Sequence, residues 1–177
     1  MAPEEICKRL TETFGDAIED TVLEAGRPYA QVSAARWLEI ARHLRDHDAF
    51  GFNLLRSITA LDLLAENKLA SIYDLSHIPL DQGSDLVTTT REFAIRVVTD
   101  RDAPSIPSVA SIWPAADWHE RECFDLMGIH YDGHPDLRRI LCCDDWEGHP
   151  LRKDYEFPLE YNGIPATTEY EFTNPRH

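Results

Sequence analysis

The sequence has few cysteines and no long apolar run, and each shortage excludes a class of protein. Its 177 residues contain four cysteines, Cys7, Cys123, Cys142 and Cys143, and no two of them form a C-x-x-C pair. This spacing fits neither a disulfide framework nor a zinc ribbon, so we expect a reducing compartment. No run approaches the roughly 20 apolar residues needed to cross a bilayer. The opening MAPEEICKRL is too polar and acidic for a signal or transit peptide.

Positive charge is scarce as well. The 17 Lys and Arg residues face 32 Asp and Glu residues, which gives a formal net charge of −15 at pH 7. We therefore expect no direct binding to nucleic acid or anionic lipid, and only indirect contact with a membrane, through another protein. Nucleotide and hydrolase motifs are missing too: there is no G-x-G-x-x-G, no phosphate loop and no G-x-S-x-G. With 43% hydrophobic residues, the chain has the composition to bury a core.

The periodicity of the first hundred residues is typical of an α+β domain. Apolar residues recur at helical spacing before Gly15, and again after Ser33, which is placed as the N-cap of a second helix. A hairpin loop is expected where Gly83 supplies the turn. The pattern predicts a mixed β-sheet with helices on one face, spanning residues 1–100. The predicted strands are 18–23, 29–32, 52–61, 69–75 and 86–99.

The alternating pattern typical of strands ends near residue 100. A proline-punctuated connector leads to a predicted helix that begins at Pro114 and ends before Gly128, a natural C′ residue. We expect residues 101–158 to form this helix and a loop region packed on the first domain. Residues 159–177 interleave aromatics with Pro and Gly without a regular repeat, which predicts an extended, irregular segment that binds a partner.

The loop region repeats a Gly-His-Pro triplet, at 133–135 and 148–150, and each copy precedes basic residues. Glycine permits an unusual φ and proline favours an extended residue before it, so each histidine could simply be fixed in a turn. The neighbouring arginines, with Trp146 and Tyr155, also suit the anchors of a protein interface. The two interpretations are compatible, because an ordered loop is a good docking surface.

A metal site is the catalytic alternative. His119-Glu120-x-x-Cys123 differs from the zinc-protease pattern H-E-x-x-H in its last residue, and no clear third ligand follows. A looser set of histidines and cysteines has no ordered ligand spacing. A metal-dependent hydrolase is therefore a remote alternative. The looser set is His119, Cys123, His130, His134, Cys142, Cys143 and His149.

The same helix has an ordinary structural interpretation. Arg121 has Asp117 and Asp125 one turn away on either side, which predicts a surface ion-pair ladder. Glu120 and Glu122 are two residues apart and should point in different directions, which disfavours a paired-acid site.

The stretch ERECFDLMGIHYDGHPDLRRIL, residues 120–141, resembles the signature of the 30 kDa subunit family of respiratory complex I, the proton-pumping NADH:quinone oxidoreductase. The likeness to this family is continuous over residues 107–158. It departs at Met127, where an aromatic residue is common, and at Cys142-Cys143, where small or polar residues are expected.

The resemblance implies a subunit without a catalytic or metal site of its own. FMN, iron–sulfur clusters and quinone would bind to partner subunits. The chain would lie on the cytoplasmic face of the bacterial inner membrane, as a peripheral protein. Its partners would be the quinone-site subunit that resembles a hydrogenase large chain, and neighbouring iron–sulfur subunits. The equivalent subunit of a membrane-bound hydrogenase or another quinone-reducing complex is the alternative.

The resemblance also selects the residues expected at the partner interface. They are Glu120, Arg121, Glu122, Asp125, His134, Arg138, Arg139, His149, Arg152, Lys153, Tyr155 and Phe157.

Overall fold

The computed structural model describes residues 1–24, 26–79, 90–158 and 160–165. These residues form three α-helices and nine β-strands. The helices are α1 (Pro3–Phe14), α2 (Trp37–Asp46) and α3 (Ala116–Met127). The strands are β1 (Ile18–Val22), β2 (Tyr29–Ser33), β3 (Leu54–Leu63), β4 (Lys68–His77), β5 (Arg91–Asp100), β6 (Ser105–Pro107), β7 (His130–Asp132), β8 (Glu160–Tyr161) and β9 (Ile164–Pro165).

Five of the strands form the main sheet, in the order β1-β2-β5-β4-β3. Strands β2 and β5 run parallel, and the other three pairs are antiparallel, so the sheet is mixed as predicted. Two small ribbons lie outside it. Strands β6 and β7 pair in parallel, and β8 and β9 form an antiparallel hairpin.

One face of the sheet carries the core. A row of cross-strand partners, Ala30, Ile95, Tyr73 and Ile58, is buried, because alternate residues of each strand point to the same side. Helix α2 packs on this face, where the Trp37 ring lies 4.5 Å from the Tyr73 ring. The apolar stripe of α1 joins the same cluster. The predicted α+β fold, with helices on one face of a mixed sheet, is confirmed.

The structure corrects two predicted helix starts. The Ser33 side chain does not act as an N-cap, since this residue is still paired in β2 and a short 3₁₀ turn separates it from α2. Helix α2 begins only at Trp37. Helix α3 begins at Ala116, two residues after Pro114. The predicted turn at Gly83 and the first part of the strand predicted for 86–99 lie outside the described residues.

Residues beyond 100 join the same core. The Trp113 indole N–H donates to the carbonyl of Phe52 at 2.9 Å, and the hydroxyl groups of Ser71 and Tyr131 are hydrogen-bonded at 2.8 Å. These buried polar contacts join the segment before α3 to the stretch of chain that enters β3, and join β7 to β4 of the sheet. In the described ranges, no helix has both the length and the apolar character needed to cross a membrane.

Candidate functional site

Helix α3 buries three charged residues. Glu120, Arg121 and Asp125 are 0%, 6% and 0% exposed. The predicted surface ion-pair ladder is therefore wrong. Arg121 instead places its guanidinium 4.8 Å from the ring of Trp118, and Asp125 is engaged by the loop. Periodicity along the helix could not reveal this, because the loop that covers these charges comes later in the chain.

Asp125 organises the loop that follows α3. One of its carboxylate oxygens accepts the backbone N–H groups of Ile140, Leu141 and Cys142, at 2.9, 2.7 and 2.9 Å. The other oxygen accepts from Arg139 at 2.8 Å. Burial alone would raise the pKa of Asp125, but these donors together outweigh it and hold the pKa at about 2. The carboxylate is therefore a fixed negative charge that folds the loop around itself.

The first Gly-His-Pro triplet is fixed to the start of α3. His134 accepts the N–H of Asp136 at its Nδ1, 3.0 Å away, so its Nε2–H is the donor to the carbonyl of Asp117, at 3.1 Å. The imidazole side chain is fully buried. Two hydrogen bonds thus set the tautomer and the orientation of the ring.

The second triplet is fixed to the other end of the helix. His149 donates its Nδ1–H to the carbonyl of Asp125, at 3.0 Å, and its ring lies over Gly128. A Cβ atom at Gly128 would be 2.4 Å from the His149 ring, and the backbone there has φ +74°. Arg152 donates its Nε–H to the carbonyl of Met127, at 2.9 Å. The pKa of His149 is lowered mainly by burial and also by the nearby arginines, which keeps the imidazole neutral.

Two further residues close this second turn. Arg139 donates to the carbonyl of Gly148 at 2.9 Å and also to the carboxylate of Asp125, so its guanidinium joins the second turn to α3. Tyr155 packs its ring against Gly148 and donates its hydroxyl to the carbonyl of Glu147, at 3.1 Å. The doubled triplet therefore builds two ordered turns, one at each end of α3.

Glu120 faces the opposite neighbour, the segment that precedes α3. Its carboxylate accepts the hydroxyl of Ser108 at 2.6 Å and the N–H of Val109 at 2.8 Å. His134 Nε2 lies 3.9 Å away. Burial raises the pKa of Glu120 to about 7, although both hydrogen bonds oppose the rise. Glu122 is exposed, so the two glutamates point apart as predicted.

Sequence reasoning missed a buried arginine that joins the loop region to the sheet. Arg101 forms two 3.1 Å hydrogen bonds with the carboxylate of Asp62 on β3, and also pairs with Asp154. The N–H of Lys153 donates to the same Asp62 carboxylate at 2.8 Å. The paired aspartates raise the pKa of Arg101 further, so it stays charged. The signal in the sequence was Asp62 itself, an acid on the core face of an apolar strand.

Some of the selected residues remain open to solvent. Arg138 is 69% exposed and pairs only with Asp136, within the described residues, at 2.8 Å. Lys153 and Phe157 are also exposed. The set chosen from the sequence thus divides into buried residues that order the loops and exposed residues that face outward.

The metal alternative gains no geometric support. Among the described residues, no three His, Cys, Asp or Glu side chains are grouped so that they could hold an ion. Cys123 lies in the core beside β3, with its Sγ 3.8 Å from the carbonyl of Ile58, and burial raises its thiol pKa to about 12. A protonated thiol is a poor metal ligand. Ala116, Cys123 and Met127 form the core face of α3.

The sequence matches a family of respiratory proteins over most of its length. The family model described as "Respiratory-chain NADH dehydrogenase, 30 Kd subunit" matches residues 30–161. The chain belongs to this family. An NADH-quinone oxidoreductase subunit of Chlorobium phaeobacteroides is 40% identical over 154 residues, covering 86% of this chain and 88% of that one. The same subunit of Chloroherpeton thalassium is 38% identical over 164 residues, covering 92% of this chain and 65% of that one.

Two solved structures share the fold. A trypsin-resistant fragment of Nqo5 (residues 1–134) has a TM-score of 0.58 and 31% identity, covering 76% of this chain and 99% of the fragment. A chain of the membrane-bound sulfane sulfur reductase, an archaeal respiratory membrane complex, has a TM-score of 0.67 and 25% identity, covering 86% and 85%. The 30 kDa subunit family recognised from residues 107–158 is thereby confirmed. As a member of that family, the chain is a subunit of a respiratory NADH dehydrogenase, and the complex is the enzyme.

Proposed function

We propose that this chain is a cofactor-free subunit of the peripheral arm of an NADH-quinone oxidoreductase, where it docks on the quinone-site subunit and holds it in place. The docking surface is the outward side of α3, the loops after it and the β8-β9 hairpin. FMN, the iron–sulfur clusters and the quinone bind to partner subunits. The chain lies on the cytoplasmic face of the membrane and contacts the lipid only through those partners.

The observation that carries this proposal is the distribution of exposed apolar side chains. Among the described residues, five large apolar side chains are at least 60% exposed, and all five lie between 118 and 164. The other large apolar side chains that reach the surface are at most 40% exposed. Exposed large apolar side chains are typical of a protein interface, and here the most exposed ones fall in one stretch of the chain. The five are Trp118, Leu141, Leu151, Phe157 and Ile164.

The hydrogen bonds beneath this surface favour docking without reorganisation. Asp125, His134, His149 and Arg101 hold the loops from below, so the exposed side chains above them stand on an ordered backbone. Binding to a surface that is already ordered costs less conformational entropy than binding to a mobile loop. The net charge of −15 adds long-range attraction for a basic partner surface.

A second candidate is the equivalent position in a related membrane-bound complex. The likeness to the sulfane sulfur reductase chain favours it, since that chain shares the fold over most of its length. The 40% identity with the Chlorobium phaeobacteroides subunit favours the NADH-quinone oxidoreductase.

The test is a mild-detergent purification of the tagged chain from its own membranes, with mass spectrometry of its partners and an assay of NADH:quinone activity. We expect flavin and iron–sulfur subunits, the hydrogenase-like subunit, and NADH oxidation. Recovery of a complex without NADH activity would support the second candidate. A chain recovered alone would contradict both.

A further inference from the structure

A small cavity separates the loop after α3 from the β8-β9 hairpin. It has a volume of about 240 Å³ and opens to solvent. Its walls include the carboxylates of Asp145, Glu147 and Glu160 and the rings of Trp146 and Tyr161. Glu147 shares its backbone carbonyl with the second turn, but the side chains that line the cavity are separate from those that order the loops around α3.

The aromatic side of the cavity is built by contact between its two rings. The Trp146 and Tyr161 ring centroids are 5.4 Å apart, with a 44° angle between the planes. The Tyr161 hydroxyl donates to one oxygen of Asp145 at 2.7 Å, and Asn162 donates to the other at 3.5 Å. The hairpin is thereby tied to the loop, and the cavity between them is preformed.

The acidic side of the cavity carries three carboxylates. In the described ranges, no lysine, arginine or histidine lies within ion-pair distance of Asp145, Glu147 or Glu160. The donors that reach Asp145 are neutral, so its charge remains. Three acids around one space therefore create a negative potential that favours a cationic ligand.

The arrangement also discriminates between cations. The acids surround the cavity, yet no three of the carboxylates, thiols and imidazoles in the described residues are grouped to hold a metal ion. A flat cation that spans the space can stack on an aromatic ring while its edge donates to carboxylates. The guanidinium group has this shape and five N–H donors, whereas the lysine ammonium is a compact, strongly hydrated charge.

We propose that this cavity, the acid–aromatic pocket, binds an arginine side chain presented by a neighbouring protein chain. The assignment of that neighbour to the respiratory complex rests on the proposed function above. The pocket adds the chemistry of the contact. A guanidinium edge meets Glu147 and Glu160, its face lies on Trp146 or Tyr161, and Asp145 keeps the hairpin in place.

The experiment uses the full-length chain and N-acetyl-L-arginine amide, with Trp fluorescence as the readout. The Trp146→Phe variant gives the fluorescence of the other three tryptophans. Subtracting its titration from that of the wild type leaves the change that arises at Trp146. We expect a saturable change with a dissociation constant on the order of 1 mM, typical of a single side-chain contact of about 4 kcal/mol. The neutral isostere N-acetyl-L-citrulline amide should bind at least about tenfold more weakly.

A matched pair of charge variants separates the pocket from the overall charge. Glu147→Gln with Glu160→Gln removes two acids from the pocket, and Glu4→Gln with Glu66→Gln removes two exposed acids elsewhere. We expect the first pair to weaken binding at least about tenfold and the second to leave it unchanged. Equal effects of the two pairs, or equal binding of the arginine and citrulline amides, would overturn the proposal.

This titration needs no partner subunit. If the amide does not bind, the arginine pocket is contradicted and the proposed function is unaffected. If the membrane purification recovers the chain alone, the proposed function is contradicted, while binding of the amide would still support the pocket.

Discussion

At the scale of single residues, Glu120 holds a titratable proton inside the fold near neutral pH. Its carboxyl is fully buried, and its hydrogen bonds to Ser108 and Val109 join α3 to the segment before it. Burial raises its pKa from 4.5 to about 7. The folded chain therefore binds this proton more tightly than the unfolded chain does.

This difference predicts a pH dependence of stability that belongs to one residue. The contribution of the Glu120 proton is fully present below pH 4.5 and is lost as the pH rises to about 7. Between pH 5 and pH 8, the free energy of unfolding of the wild type should fall by roughly 2–3 kcal/mol relative to that of Glu120→Gln. Urea unfolding of both proteins at the two pH values measures it. Parallel pH profiles would mean that the carboxyl is not protonated in the fold.

A second prediction at this scale concerns the stability cost of replacing Gly128 by alanine, with Gly133 as the matched control. Both have positive φ, +74° and +82°, but only Gly128 has side chains within 4 Å of a built Cβ, those of His149 and Arg152. Alanine at either position should cost about 1–2 kcal/mol of backbone strain. Gly128→Ala should cost a further 1–3 kcal/mol or so, because it displaces the His149 ring. Chemical denaturation of the two variants gives the comparison, and equal losses would rule out the close approach.

At the scale of elements, two sequence-identical triplets perform the same task at opposite ends of one helix. His134 donates to the carbonyl of Asp117 near the start of α3, and His149 donates to that of Asp125 near its end. The loops are therefore held by side chain–backbone bonds rather than by regular secondary structure. Each triplet supplies a flexible glycine, a donor ring and a proline that stiffens the turn.

The two adjacent arginines after the first triplet predict different outcomes. Arg139 is 17% exposed and pairs with the fully buried Asp125, so Arg139→Ala leaves a buried carboxylate without its cation. We expect a loss of about 3 kcal/mol in the free energy of unfolding. Arg138 is 69% exposed, and Arg138→Ala should leave stability unchanged within error. Thermal and urea unfolding measure both. Similar losses would contradict the division into internal and outward-facing residues.

What the sequence could predict at this scale was local. Alternation in the strands, and the end of α1 at Gly15 and of α3 at Gly128, follow from periodicity and glycine conformation, and the structure confirms them. The Ser33 cap failed because strand pairing prevailed over a local preference. The contact of Arg101 with Asp62 links positions 39 apart, and the burial of Arg121 depends on a later loop. Neither follows from spacing along one element.

At the scale of the whole molecule, the apolar core and the most exposed apolar side chains lie in different parts of the chain. The sheet with α1 and α2 on one face carries most of the apolar core, while α3, the loops after it and the β8-β9 hairpin carry the five most exposed apolar side chains. Arg101 joins the two parts through Asp62 and Asp154. A subunit with this division can change its outward surface without losing its core, so surface variants test assembly rather than folding.

The most direct test of the docking surface replaces one exposed apolar residue on it by a charge. Phe157 is 68% exposed, and Leu64, at 40%, is the control on the turn after β3. Each tagged variant, Phe157→Glu or Leu64→Glu, is expressed in the native cell. The fraction of chain that migrates with the assembled complex on a native gel is measured, with the melting temperature of the isolated chain alongside.

We predict that Phe157→Glu lowers the assembled fraction at least about tenfold, the effect of losing one anchor worth about 1.4 kcal/mol or more. Leu64→Glu should assemble like the wild type, and neither variant should melt earlier. Normal assembly of Phe157→Glu, or an equal loss in Leu64→Glu, would contradict the claim that the chain docks through its carboxy-terminal loops.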